Sequence, residues 1–196
     1  MIRLFAALAL LLSGVVHAAE FSVVQLDKSS IAFVTKQMGV PVDGTFPKFT
    51  AQIALDPAKP QTGRANIEID IASIDAGFAQ ANEEAKGKNW FNVREFPKAT
   101  FVSSAVSGAG GNRLEAVGKM TIKGKTQELR VPFTAVQDKG ALTLEGAFPV
   151  KRLDYGIGAG EWADTSVVAD EVQVRFRFVI APASAPVSKN KKGGAL

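Results

Sequence analysis

EVQVRFRFVI, residues 171–180, alternates at every step from Glu171 to Phe178. Val172, Val174, Phe176, Phe178 and Ile180 fall on one side of an extended chain, and Glu171, Gln173, Arg175 and Arg177 on the other. Successive side chains of a strand point to opposite faces, so this run predicts a β-strand with one face buried. Residues 64–71 repeat the pattern, with Ile67, Ile69 and Ile71 opposed to Asn66, Glu68 and Asp70. Working outward, strand-like runs cover residues 21–26, 29–35, 45–55, 99–106, 113–122, 127–136 and 141–150. Polar or glycine-rich turns separate them, among them Asp56-Pro57, Lys123-Gly124-Lys125 and Asp138-Lys139-Gly140. Many strands joined by short turns predict an antiparallel sheet whose sequential strands pair. Closing it into a barrel removes the exposed edges, and an open sandwich is the alternative.

One segment breaks the pattern. Ile74 to Asn89 has helical composition, with Asp75 placed to cap it and Phe78, Ala81 and Ala85 on one face. It runs into Trp90-Phe91. A helix inserted between strands reads as a lid over one end of a barrel or as a cover for the core.

The first residues predict export. Met1-Ile2-Arg3, an apolar run over Leu4–Leu12 and the Val16-His17-Ala18 site form a secretory signal peptide, residues 1–18, cleaved after Ala18. Export from the cytoplasm follows from it. The apolar run is too short for a membrane-spanning helix, which needs roughly 20 residues. Cleavage removes His17, the only histidine, from a chain without cysteine. That excludes disulfides, Cys-His and Ser-His-Asp nucleophilic catalysis, and an ordinary zinc site. Residues 19–180 make one domain, and 181–196 a disordered tail rich in Ala, Pro, Ser, Lys and Gly.

Charge says less. Lys+Arg number 23 and Asp+Glu 19, spread along the chain and not clustered on one face, which argues against nucleic-acid binding. The stretch KRLDYGIGAGEW, residues 151–162, carries three glycines, but Glu161 stands where a dinucleotide loop requires its third. The glycines are expected to let a long loop turn sharply. Carboxylates cluster there as well, and Asp154 with Glu161 would be the pair for a periplasmic hydrolase. A barrel of about eight strands either fills its interior or holds one ligand. An interior lined by phenylalanine, leucine, isoleucine and methionine would select a long apolar one.

Four stretches, in order, resemble a known family. LDKSSIAFV (Leu26–Val34) is similar to its opening Asp-x-x-His-Ser-x-Ile-x-Phe, with Ser29 where a histidine is common. KNWFNVREFPKATF (Lys88–Phe101) is similar to its Phe-Phe-Asp-x-x-x-Phe-Pro-x-Ala-x-Phe signature. AVGKMTIKGKTQELRVPF (Ala116–Phe133) and KRLDYGIGAGEW match two further segments. The chain resembles the YceI-like family, the lipocalin-like polyisoprenoid-binding proteins of bacterial periplasms. The resemblance implies an all-β fold: an eight-stranded antiparallel lipocalin-like barrel with a helical insertion covering one end. It implies an isoprenoid lipid or quinone tail as ligand, no other cofactor, no metal and no catalysis.

Strand parity and the resemblance together give the expected site. Phe33, Phe101, Met120, Phe133, Phe148 and Phe176 line the barrel; Phe78, Trp90 and Phe91 act from the lid; Arg152, Asp154, Tyr155 and Trp162 stand at the rim. The departures at Ser29 and at Glu83-Glu84-Ala85 bear on the head-group contacts. Some relatives are encoded beside, or fused to, a b561-type membrane cytochrome, so a module that docks on such a cytochrome is the rival reading. A homodimer is compatible with the sequence.

Overall fold

Among the described residues every strand pairing is antiparallel, and most short turns join sequence neighbours that lie side by side. The computed structural model describes residues 20–183. The expected signal peptide and residues 184–196 of the expected tail lie outside them. Ten strands are present: β1 (Phe21–Val24), β2 (Ser30–Gln37), β3 (Val40–Thr45), β4 (Phe49–Ala54), β5 (Arg64–Asp70), β6 (Lys98–Gly108), β7 (Arg113–Ile122), β8 (Lys125–Asp138), β9 (Ala141–Lys151) and β10 (Glu171–Pro182). Ala181 and Pro182, placed in the tail by composition, thus extend β10.

The ten segments fill eight strand positions, β1 and β2 sharing one and β3 and β4 another. β1 and β2 both run along the same edge of β10, separated by a single 3₁₀ turn at Leu26–Lys28. β3 pairs with β2, while β4, just beyond it in the chain, pairs with β5. The order is β3-β2-β10-β9-β8-β7-β6-β5-β4, and Phe21 and Leu55 exchange two backbone hydrogen bonds of 3.0 Å across the remaining seam. The sheet curls back on itself, and the eight-position antiparallel barrel is the expected fold. Sequence reading merged part of β3 into one strand with β4, because Pro41 and Gly44 disfavour a strand.

The helix is shorter than expected. α1 covers Ala79–Lys86 only. Asp75 does not cap it; its backbone pairs with Thr45, and its carboxylate accepts from Gly77 N–H at 3.0 Å. Pairing of residue 75 with the sheet is a long-range event that composition could not reveal.

The barrel has two distinct ends. One, the floor, gathers the turn between β8 and β9 with Phe21, Leu55, Leu142 and Ile180, all at most 3% exposed. The other, the roof, carries α1, the segment to Lys98 and the long connection from β9 to β10.

Candidate functional site

Inward-facing residues of the alternating strands do not fill the barrel. Under the roof is a cavity of about 520 Å³. Below it lies a second of about 90 Å³, and both are lined by Ile31, Ile69, Met120 and Val174. These four residues form a waist between an upper and a lower chamber. Almost every lining side chain is apolar. The polar exceptions are Thr35, Gln37, Gln80, Glu84 and Arg152 above, and Arg64 below.

The expected lining residues sort by depth. Phe33 borders the upper chamber, Phe101, Phe133, Phe148 and Phe176 the lower, and Met120 both. Phe78, Trp90 and Phe91 all face the upper chamber from the roof, although Phe78 is 60% exposed. Phe91 meets Phe46 edge-on at 6.1 Å, and Phe46 packs on Phe33 at 5.5 Å. Phe46, Ile69 and Val174 were missed as site residues. The parity of β5 and β10 places Ile69 and Val174 inside; Phe46 sits in the break between β3 and β4, where parity resets.

The rim residues behave differently from expectation. Arg152 borders the upper chamber but is only 2% exposed. All five of its N–H donors meet backbone carbonyls: Nε to Ala169, Nη1 to Ile157 and Gly158, Nη2 to Trp162 and Val168, at 2.7–3.1 Å. Burial pulls its pKa below the ordinary arginine value, against the attraction of Asp170. A guanidinium so saturated has no donor left for a ligand; it pins the loop 152–169. The glycine-rich motif serves this pin. A β-carbon at Gly158 would lie 2.3 Å from Arg152 Nη1, so no side chain fits there.

Asp154 is exposed and borders neither chamber, and the same holds for Glu161, so the two carboxylates have no enclosed place to flank a substrate bond. Tyr155 is 1% exposed and also lies outside both chambers. Burial, and next the charge of Asp154, pushes its phenol up to about 12. Trp162 does border the upper chamber, 5.6 Å from Trp90, and the Arg152 guanidinium sits 5.8 Å from the Trp90 ring centre. The indole N–H groups of Trp90 and Trp162 and the hydroxyl of Thr35 are buried with no hydrogen-bond partner among the described residues.

The roof is stitched to the loop. Gly158 and Ala159 donate to Asn89 O at 2.9 and 2.8 Å, and Lys123 Nζ donates to Lys88 O and Gly156 O. Burial, then Lys125, lowers the pKa of Lys123, with Glu95 opposing. Ser29 lies outside both chambers: its hydroxyl donates to Gln25 O and accepts from Val179 N–H, anchoring the β1–β2 break to β10. Of the altered lid residues, Glu84 borders the upper chamber, while Glu83 pairs with Lys86 on the surface.

Comparison with known proteins places this architecture. The model of the YceI-like domain family matches residues 23–180. A UPF0312 protein of Shewanella oneidensis is 30% identical over 138 residues, which span 66% of this chain and 71% of its own. Among solved structures, BcnA of Burkholderia cenocepacia is 49% identical, with a TM-score of 0.78 over 80% of this chain and 98% of its own. A polyisoprenoid binding domain from Saccharophagus degradans shares the fold at 14% identity, with a TM-score of 0.64 over 85% of this chain and the whole of that one.

Proposed function

The chain belongs to the YceI-like family, and on that premise we propose that it is a periplasmic binding protein that carries a long-chain isoprenoid lipid, a polyprenyl lipid or a quinone tail, inside its barrel. One observation carries the reading: two apolar chambers lie in line along the barrel and meet at the waist of Ile31, Ile69, Met120 and Val174. Such a space suits an elongated apolar chain. Each buried CH₂ contributes roughly 0.8 kcal/mol, so part of an isoprenoid tail is enough for tight binding even after the cost of ordering it. The name of the Saccharophagus degradans relative supports the ligand class.

The polar end belongs at the roof. There Trp90, Trp162 and Thr35 have hydrogen-bonding capacity that the protein leaves unused. Arg152 does not anchor it, since its donors are filled. The chemistry is binding without a covalent step.

Mass spectrometry of an organic extract tests the reading, using protein purified from the periplasm without detergent. A stoichiometric polyprenyl species or quinone is expected. Lipid-free protein that also rejects added isoprenoids would overturn it and bring docking on a membrane b-type cytochrome to the front.

A further inference from the structure

Two phenylalanines of the lower chamber lie down on glycines of the neighbouring strand. Phe176 on β10 is the direct register partner of Gly146 on β9. Phe101 on β6 packs on Gly118 of β7, next to its own partner Met120. A β-carbon at Gly146 would stand 2.6 Å from Phe176 Cζ, and one at Gly118 would stand 2.6 Å from Phe101 Cζ. Carbon atoms in contact need about 3.5–4.0 Å, so neither ring could keep its place beside any other residue. At the roof the same arrangement pairs Phe33 with Gly44, at 2.2 Å.

The glycines therefore decide where the rings go. With no side chain on the wall, each ring folds flat against it. With a β-carbon there, the ring would be driven toward the barrel axis. A barrel of eight strand positions is narrow enough for side chains to fill it completely. Here a chamber of about 90 Å³ stays open, although Phe101, Phe133, Phe148, Phe176 and Phe178 all border it.

We propose that Gly118 and Gly146 determine the length of chain the protein accepts. By letting Phe101 and Phe176 lie on the wall they hold the lower chamber open, and so set how far an apolar tail passes below the waist. This rests on the lipid-binding reading and adds to it the residues that select for length.

The test compares a short and a long isoprenoid alcohol, farnesol and solanesol, titrated into wild type, Gly146→Ala and Phe176→Trp, with folding checked by circular dichroism. Farnesol is the short probe, expected to stay above the waist; solanesol is the long one, expected to reach past it. Both variants should weaken solanesol by about tenfold relative to farnesol, the equivalent of about two CH₂ groups lost from burial. Because a β-carbon at Gly146 also meets Pro132 O at 2.7 Å, that variant can fail to fold. Phe176→Trp crowds the same chamber with Gly146 kept in place, and so tests by itself whether the lower chamber sets the accepted length. Equal loss for both alcohols, or no loss for either, in a folded variant would overturn the length assignment and leave lipid binding standing. Wild-type protein that binds neither alcohol would overturn the lipid reading and the assignment with it.

Discussion

The floor and the roof of the barrel are held by opposite means. At the floor, Leu142 and Ile180 are fully buried and Phe21 nearly so, and the backbone of β9 and β10 beside them is paired rung by rung. Only side-chain packing remains to be settled there. At the roof the chain leaves the sheet between Lys151 and Glu171, and its carbonyls lose their ladder partners. Buried carbonyls need donors, and Arg152 supplies five. It is the only buried charged residue among those described. A cation is buried in this protein where five backbone carbonyls converge off the ladder, and nowhere else in the described fold.

Removing that cation should give the largest effect. Arg152→Met strands five carbonyls, and a loss of about 4 kcal/mol or more is expected in urea unfolding, with Trp90 and Trp162 emission shifted to the red. A loss below about 1 kcal/mol would mean that the loop stands without its pin. Truncating the floor comes next. Leu142→Ala should cost about 3 kcal/mol through the cavity it leaves, with tryptophan emission unchanged because both indoles are at the far end. A shifted spectrum there would show that the two ends are coupled.

Tyr155→Phe sharpens the roof further. The hydroxyl has no partner, so stability near neutral pH should barely change. The wild-type phenol titrates at about 12 when folded, against an ordinary value of 10.0. The raised value means its contribution is complete below pH 10. It then falls by about 1.4 kcal/mol per pH unit as the unfolded chain ionises first, and levels off above about 12. Denaturation at stepped alkaline pH should show that decline in wild type and a flatter curve in the variant. The smallest effect belongs to the outer surface. Lys98→Ala, which removes an exposed pair with Glu68 on the barrel wall, should stay within about 0.5 kcal/mol.

The wall was the legible part of this protein. Alternation in 64–71 and 171–180 placed Ile67, Ile69, Val174 and Phe176 on the inner face, because the pleat imposes period two on each strand separately. The β3–β4 break was not legible, since Pro41 and Gly44 argue locally against a strand. Gly44 is tolerated there because the Phe33 ring covers it from β2. The helix was overestimated for the same kind of reason: Asp75 is claimed by Thr45, thirty positions earlier. Arg152 was assigned to the rim from its place in a glycine-rich motif. Its acceptors are scattered from Ile157 to Ala169 with no periodicity, so no pattern could show that its donors were already engaged.

The seam between β1 and β4 has a mechanical consequence. Around most of its circumference the barrel is a continuous fabric, with ten register pairs between β9 and β10 and ten between β7 and β8. Where β3 gives way to β4 the ladders change partner, and Phe21 with Leu55 bridges the wall near the floor, Thr45 with Asp75 near the roof. The fabric is thus broken once, at the change of partner between β3 and β4, and a bridge on either side of the break holds the cylinder shut.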